Sequence, residues 1–271
     1  MAANDKSVEF LYGTKFGRML LEFALAIRIP KLLGAFLRSP LSRFYIKKFI
    51  AKNGINMDAW PDVKFKTFND FFTRKKEITF DSEPSHFISP SDSLLSVYDI
   101  KPDSTFFIKG ADYSISDFLQ NPELEKKFDG GLCLVFRLCA TDYHRYCYID
   151  DGHIDDNHFI PGKLYSVQPL PLEKFRVFTK NRRSWAVLHT RNFGDIAQIE
   201  VGAFSVGGII NHDSNADFKK GSEKGYFDLH GSTIVLLIQK DKVELLEEVK
   251  AATAGDKEYR VKCGQFIGTA K

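Results

Sequence analysis

The chain has 271 residues, of which 44% are hydrophobic and 14% aromatic, and it carries a formal net charge of +3. That composition supports a buried core in one large domain, or in a core domain with a smaller appendage, and it excludes a disordered chain. Four cysteines (Cys133, Cys139, Cys147, Cys263) show no metal-ligand spacing, no apolar run reaches the roughly 20 residues of a spanning helix, and no signal-peptide pattern opens the chain, so the expectation is a reduced, intracellular protein that does not cross a membrane and holds no metal.

Charge is unevenly spread. Between Phe10 and Lys52 there are nine basic residues and one acid, Glu22, so this segment carries +8 and the rest of the chain −5. The same stretch reads as helical over residues 16 to 53. An apolar run from Leu20 to Ile27 closes near Pro30, a second runs from Leu32 to Leu37 and stops near Pro40, and a third ends at Asn53-Gly54, a C-terminal cap signal. Apolar residues flanked by Lys and Arg suit a helix lying in an anionic membrane interface, and equally a helical layer packed on a core with solvated lysines. No nucleic-acid motif accompanies the charge, so no nucleic-acid partner is expected.

From Phe65 the texture changes. Phe68 to Phe72 predicts a helical turn with buried aromatics. Short strand-like runs follow at 94–97, 106–108, 132–136, 184–188, 196–201 and 234–238, punctuated by Gly, Asp, Asn and Pro. One helix is expected over 116–128. The fold class predicted is α+β, a β-rich core of short, mostly antiparallel strands with an N-terminal helical layer. Residues 1–60 form the basic helical region and 61–271 the β-rich domain.

Reactive side chains concentrate in three places. Asp92 ends the turn Ser89-Pro90-Ser91-Asp92, where an Asp is commonly a turn former. His144 lies in Asp142-Tyr143-His144-Arg145-Tyr146-Cys147, at the end of the strongest strand candidate, and a histidine suits acid–base work near neutral pH. Ser232 lies in His230-Gly231-Ser232-Thr233, by itself an ordinary turn. An Asp, a His and a Ser far apart in sequence could form a triad that activates the Ser, a pattern that also arises by chance.

The order of these segments resembles the phosphatidylserine decarboxylase family, from about Phe65 to the end of the chain. The segments that carry the resemblance are Phe68-Asn69-Asp70-Phe71-Phe72-Thr73-Arg74-Lys75, Ser89 to Asp92, Lys109-Gly110 with Tyr113 to Ile115, Asp142 to Arg145, and Pro161 to Val167. Val201-Gly202-Ala203 with Val206-Gly207, Lys220 to Phe227, and Gly231-Ser232-Thr233 complete the series. The resemblance implies a proenzyme cleaved between Gly231 and Ser232. Ser232 Oγ would attack the Gly231 carbonyl, and the resulting ester would eliminate to leave chains 1–231 and 232–271. Ser232 would become a pyruvoyl group, the only cofactor, whose Schiff base with phosphatidylserine accepts the electrons released with CO2, giving phosphatidylethanolamine.

By the same resemblance Asp92 orients and charges the base, and His144 belongs to the active site. The partners implied are the lipid substrate, an anionic membrane surface at the cytoplasmic face, and the two chains of one precursor, with a homodimer left open. Family members commonly carry a second His where this chain has Cys147, and Asp-Gly where it has Asp92-Ser93. The base for self-cleavage is therefore open among His144, His230 and His212, with Cys147 in the expected position. A relative acting on another amino acid or serine lipid, or an unprocessed lipid-binding homologue, would share many of these segments.

Overall fold

The computed structural model describes residues 6–27, 29–108, 111–174, 176–203, 208–229 and 232–271. Four helices lead: α1 (Lys6–Gly13), α2 (Lys15–Ala26), α3 (Ile29–Leu37) and α4 (Arg43–Asn53). Local chemistry sets their ends. Thr14 caps α2 by accepting from the Gly17 N–H at 2.9 Å. Pro30 opens α3 rather than closing α2, since its missing N–H has no partner to lose in a first turn. Gly54 closes α4 in the left-handed region at φ 60. Within the described residues, no helix is long and apolar enough to cross a membrane.

The helical turn α5 (Phe68–Phe72) is held by a capping box between Thr67 and Asp70. Its three phenylalanines are buried with Leu37 and Ile46 of the helical layer and with Leu229. Strands β1 (His86–Ile88), β2 (Ser93–Asp99), β3 (Thr105–Ile108) and β4 (Ala111–Ser114) precede α6 (Ile115–Leu119). The single helix expected over 116–128 is broken: Gln120 turns left-handed at φ 50, and Pro122 starts a separate 3-10 segment ending at Phe128. Proline cannot donate to the preceding turn and disfavours the helical conformation in the residue before it.

Strands β5 (Leu132–Leu138), β6 (Arg145–Cys147), β7 (Gly152–Ile154) and β8 (His158–Ile160) come next, then the short α7 (Pro169–Lys174) and α8 (Val177–Lys180). After them run β9 (Arg183–Thr190), β10 (Asp195–Gly202), β11 (Gly208–Asn211), β12 (Ala216–Phe218), β13 (Glu223–Asp228) and β14 (Ser232–Ile238). The chain closes with β15 (Val243–Leu245), α9 (Glu247–Ala254), β16 (Tyr259–Val261) and β17 (Phe266–Ala270).

Nine strands build the central antiparallel sheet, ordered β12-β7-β9-β10-β14-β5-β2-β16 with β8 beside β9. Smaller sheets are β1-β17-β15, β11-β13-β6 and β3-β4, so the architecture is α+β as expected. β14 is buried along its whole length, which is why it reads as an unbroken apolar run. Val235 and Leu237 face a core with Val135, Ala197 and Ile199. Ile234, Leu236 and Ile238 face another with Phe136, Leu188 and Ile196. The antiparallel order has one consequence for function. Ser232 pairs with Leu138 on one side and Gly202 on the other, and Ser93 pairs with Val261. The starts of β2 and β14 therefore share one end of the sheet with the ends of β5, β10 and β16.

Candidate active site

That sheet end gathers buried polar groups: Ser89, Ser91, Asp92, Asp142, His144 and Ser232. Burying such groups is costly unless partners hold them, and the partners define the site. Asp92 accepts from the Cys263 N–H and from Lys262 Nζ, each at 2.9 Å. Both donors follow β16, which the register lays beside β2. Asp142 is held by Arg260 Nη1 at 2.9 and 3.0 Å and by the Cys139 N–H at 2.8 Å. Burial raises its carboxyl above the ordinary range despite these donors, and the charge of Asp92 adds to the rise.

His144 is the buried one among the six described histidines. Its Nδ1 lies 2.9 Å from the Asp142 carbonyl. A carbonyl only accepts, so Nδ1 carries the proton and Nε2 is the basic nitrogen. The ring packs on Phe72 with centroids 4.0 Å apart, and the His144 carbonyl accepts from the Phe227 N–H at 2.9 Å. Position and tautomer are thus set from two sides.

Ser232 is fully buried at the first position of β14, and its Oγ has no hydrogen-bond partner among the described residues. A buried hydroxyl left in this way is uncommon and calls for an explanation. Its register places its side chain on the sheet face of Leu138 and Ile234. Gly231 and His230 lie outside the described residues, as do Lys109-Gly110 and Val206-Gly207. Both flanks of the Gly231–Ser232 bond are nonetheless anchored. Ser232 is in the sheet, and Leu229, left-handed at φ 57, is buried in the cluster of Phe72, the ring on which His144 rests.

Of the other two candidates, His212 stands apart from this group, whereas Cys147 lies against the Asp92 turn. His212 is exposed and bonded through Nε2 to Glu223 Oε1 at 2.7 Å. It follows the end of β11 that pairs with Gly225, whereas the end leading toward Leu229 pairs Gly208 with Asp228. Cys147 is buried with its Sγ 3.5 Å from Cys263 Sγ, and its N–H donates to the Pro90 carbonyl at 2.9 Å. The Cys263 thiol is pushed well up, first by its contact with Cys147 and then by burial.

Several site residues were not singled out from the sequence. Arg74 is buried over the rings of Phe71 at 4.8 Å and Trp60 at 5.0 Å. Burial lowers its pKa, while Asp92, Tyr143 and Asp142 oppose the change. It belongs to a segment that carried the family resemblance, which was the available signal. Arg260, Lys262 and Cys263 had no local signal, because only strand pairing brings them to Asp142 and Asp92.

Comparison with known proteins accords with this arrangement. The sequence profile described as phosphatidylserine decarboxylase matches residues 68–269. Phosphatidylserine decarboxylase proenzyme 2 of Clostridium acetobutylicum is 41% identical over 265 residues, covering 96% of this chain and 91% of that protein. The phosphatidylserine decarboxylase proenzymes of Clostridium kluyveri and Clostridium botulinum strain Eklund 17B are 38% and 36% identical, each across 98% of this chain and 93% of its own length. The ordered motifs, the shared sheet end and these near full-length matches together establish that the chain belongs to the phosphatidylserine decarboxylase family.

Proposed function

We propose that the chain is a proenzyme that cleaves itself between Gly231 and Ser232 and then converts phosphatidylserine to phosphatidylethanolamine and CO2. The observation that carries this reading is Ser232: a fully buried serine at a strand start, its Oγ unbonded among the described residues, at the sheet end that holds Asp92 and His144. A serine hydroxyl is a weak nucleophile without a base. His144, its Nδ1 committed to Asp142, offers Nε2 as the base. Asp92 supplies a buried negative charge beside the same turn. Ser232 Oγ attacks the Gly231 carbonyl carbon, the peptide becomes an ester, and elimination parts chain 1–231 from chain 232–271.

The surroundings of Ser232 suit a pyruvoyl group, since it is fully buried and Leu138 and Gly202 flank it without ionisable side chains. When present, that group supplies a carbonyl for the substrate amine and a sink for the electrons of the departing carboxylate. The chain itself excludes water around position 232 and holds a proton at His144.

Residues 1–60 act as the membrane-facing layer, and 61–271 as the catalytic domain, on a peripheral protein at the cytoplasmic face. Leu32, Leu41 and Phe44 are 70%, 72% and 74% exposed, and Phe16, Met19 and Phe23 are exposed as well. Contiguous exposed apolar residues mark a binding surface, and the surrounding Lys and Arg select an anionic one. Glu22, the one acid of the segment, is paired, accepting from Lys163 Nζ at 2.7 Å and from the Tyr165 hydroxyl. Phe68 N–H donates to Ser42 Oγ at 2.8 Å, which ties this layer to α5 and so to the site.

Denaturing gels and intact mass test the reading. Two fragments split before Ser232 are expected, with Ser232→Ala remaining whole at 30.9 kDa and with Asp92→Asn and His144→Ala slowed at least about tenfold. In cells, phosphatidylethanolamine should rise at the expense of phosphatidylserine. A single intact band for the wild-type chain would sink the proposal. Processing with unchanged lipids would point to another amine substrate.

A further inference from the structure

The described thiols are not equivalent. Cys133 is inside β5, and Cys139 lies 3.9 Å from Arg137 Nη1. Cys147 and Cys263 instead meet sulfur to sulfur at 3.5 Å, from positions 116 residues apart on opposite sides of the Gly231–Ser232 bond. Both are fixed to one turn. The Cys147 N–H and the Cys263 thiol reach the Pro90 carbonyl at 2.9 and 3.3 Å, and the Cys263 N–H reaches Asp92 at 2.9 Å. A disulfide needs the sulfurs about 1.5 Å closer, a distance that small side-chain rotations cover.

Access and chemistry are also present. A cavity of about 190 Å³ is lined by both cysteines together with Lys75, Lys76, Tyr143 and Arg145. It admits a small oxidant to both sulfurs. We propose that Cys147 and Cys263 form a reversible redox pair that closes to a disulfide with a peroxide. One thiol gives up its proton and its sulfur attacks a peroxide oxygen; the O–O bond breaks, the departing hydroxide takes that proton, and a sulfenic acid and a water result. The second sulfur, losing its own proton, then attacks that sulfenic sulfur; the S–S bond forms, the S–O bond breaks, and the leaving hydroxide takes the proton as another water. Two thiols are oxidised, the peroxide is reduced, and a dithiol reverses the change. The bridge fastens segment 262–263 to the Asp92 turn. That it also joins two separate chains rests on the cleavage proposed above, whereas the sulfur pair does not.

The test treats the purified protein with hydrogen peroxide, alkylates it in denaturant without reductant, and maps the tryptic peptides. The expected result is a mass loss of two hydrogen atoms and a bridged peptide pair carrying Cys147 and Cys263, both reversed by dithiothreitol. Cys139→Ser should keep the bridge and Cys263→Ser should lose it. If the latter misfolds, the wild-type map decides alone. In a processed protein the two chains should run as one band without reductant and as two with it. A bridged peptide in a chain that stays whole under reduction would support the pair and reject the cleavage. Full alkylation of both cysteines, separate oxidation to sulfinic acids, or a bridge through Cys139 would overturn the proposal.

Discussion

Glu223 meets three basic side chains: Arg145 Nη1 at 2.7 Å, His212 Nε2 at 2.7 Å and Lys75 Nζ at 3.5 Å. Partial burial alone would raise its carboxyl, but the His212 bond and the charges of Arg145 and Lys75 win and hold it below the ordinary 4.5. A carboxylate lowered on folding stabilises the fold above the ordinary carboxylate range and loses that contribution as pH falls through the folded value. Glu223→Gln should therefore cost about 1 kcal/mol near neutral pH, with solvent screening keeping it small. Denaturant unfolding at neutral and acid pH checks this, since the difference from wild type should vanish below the carboxylate range. At this scale the sequence made Asp92, His144 and Ser232 legible as types in a family order. It placed His144 in the active site through its motif and left His212 only as a substitute base. Burial and partners add the physical reason: His212 is an exposed imidazole bonded to Glu223, whereas His144 is buried and locked on Phe72.

Helices and strands were largely legible where one physical signal dominated. Apolar runs bounded by turn residues became β2, β5, β9, β10 and β14, each within a few residues of the expected limits. The break at Gln120 and Pro122 was missed because the apolar spacing of 116–128 continues across it while the backbone does not. The close approach of α1 to α2 also has no local signature. At Gly17 a Cβ would lie 2.0 Å from the Phe10 carbonyl oxygen, a backbone atom that no rotamer change can move aside. Gly17→Ala should loosen α1 from α2 and cost about 1–3 kcal/mol. Limited proteolysis should then cut near Gly13 and Thr14 faster than in wild type, with the central sheet still protected. Unchanged cutting would mean that the two helices separate without strain.

For the whole molecule, the helical layer is both a surface and a support. Its outer residues are exposed apolar side chains among cations, while Leu37 and Ile46 pack with Phe72 and Leu229 at the site. Deleting it would therefore disturb the catalytic domain, and surface substitutions make the cleaner test. The combined change Leu32→Glu, Leu41→Glu and Phe44→Glu should lower flotation with anionic vesicles at least about tenfold while leaving the unfolding temperature near wild type. Binding that survives the triple change would remove this face as the membrane contact. By itself the sequence determined the family, the α+β class, the basic helical layer and the serine at the start of a buried strand, because periodicity, charge and motif order are properties of neighbouring residues. Only the tertiary structure decided which groups meet. Strand register carried Lys262 and Cys263 to Asp92 and set Cys147 against Cys263, since contacts between residues over a hundred positions apart are fixed by sheet order and leave no trace in local pattern.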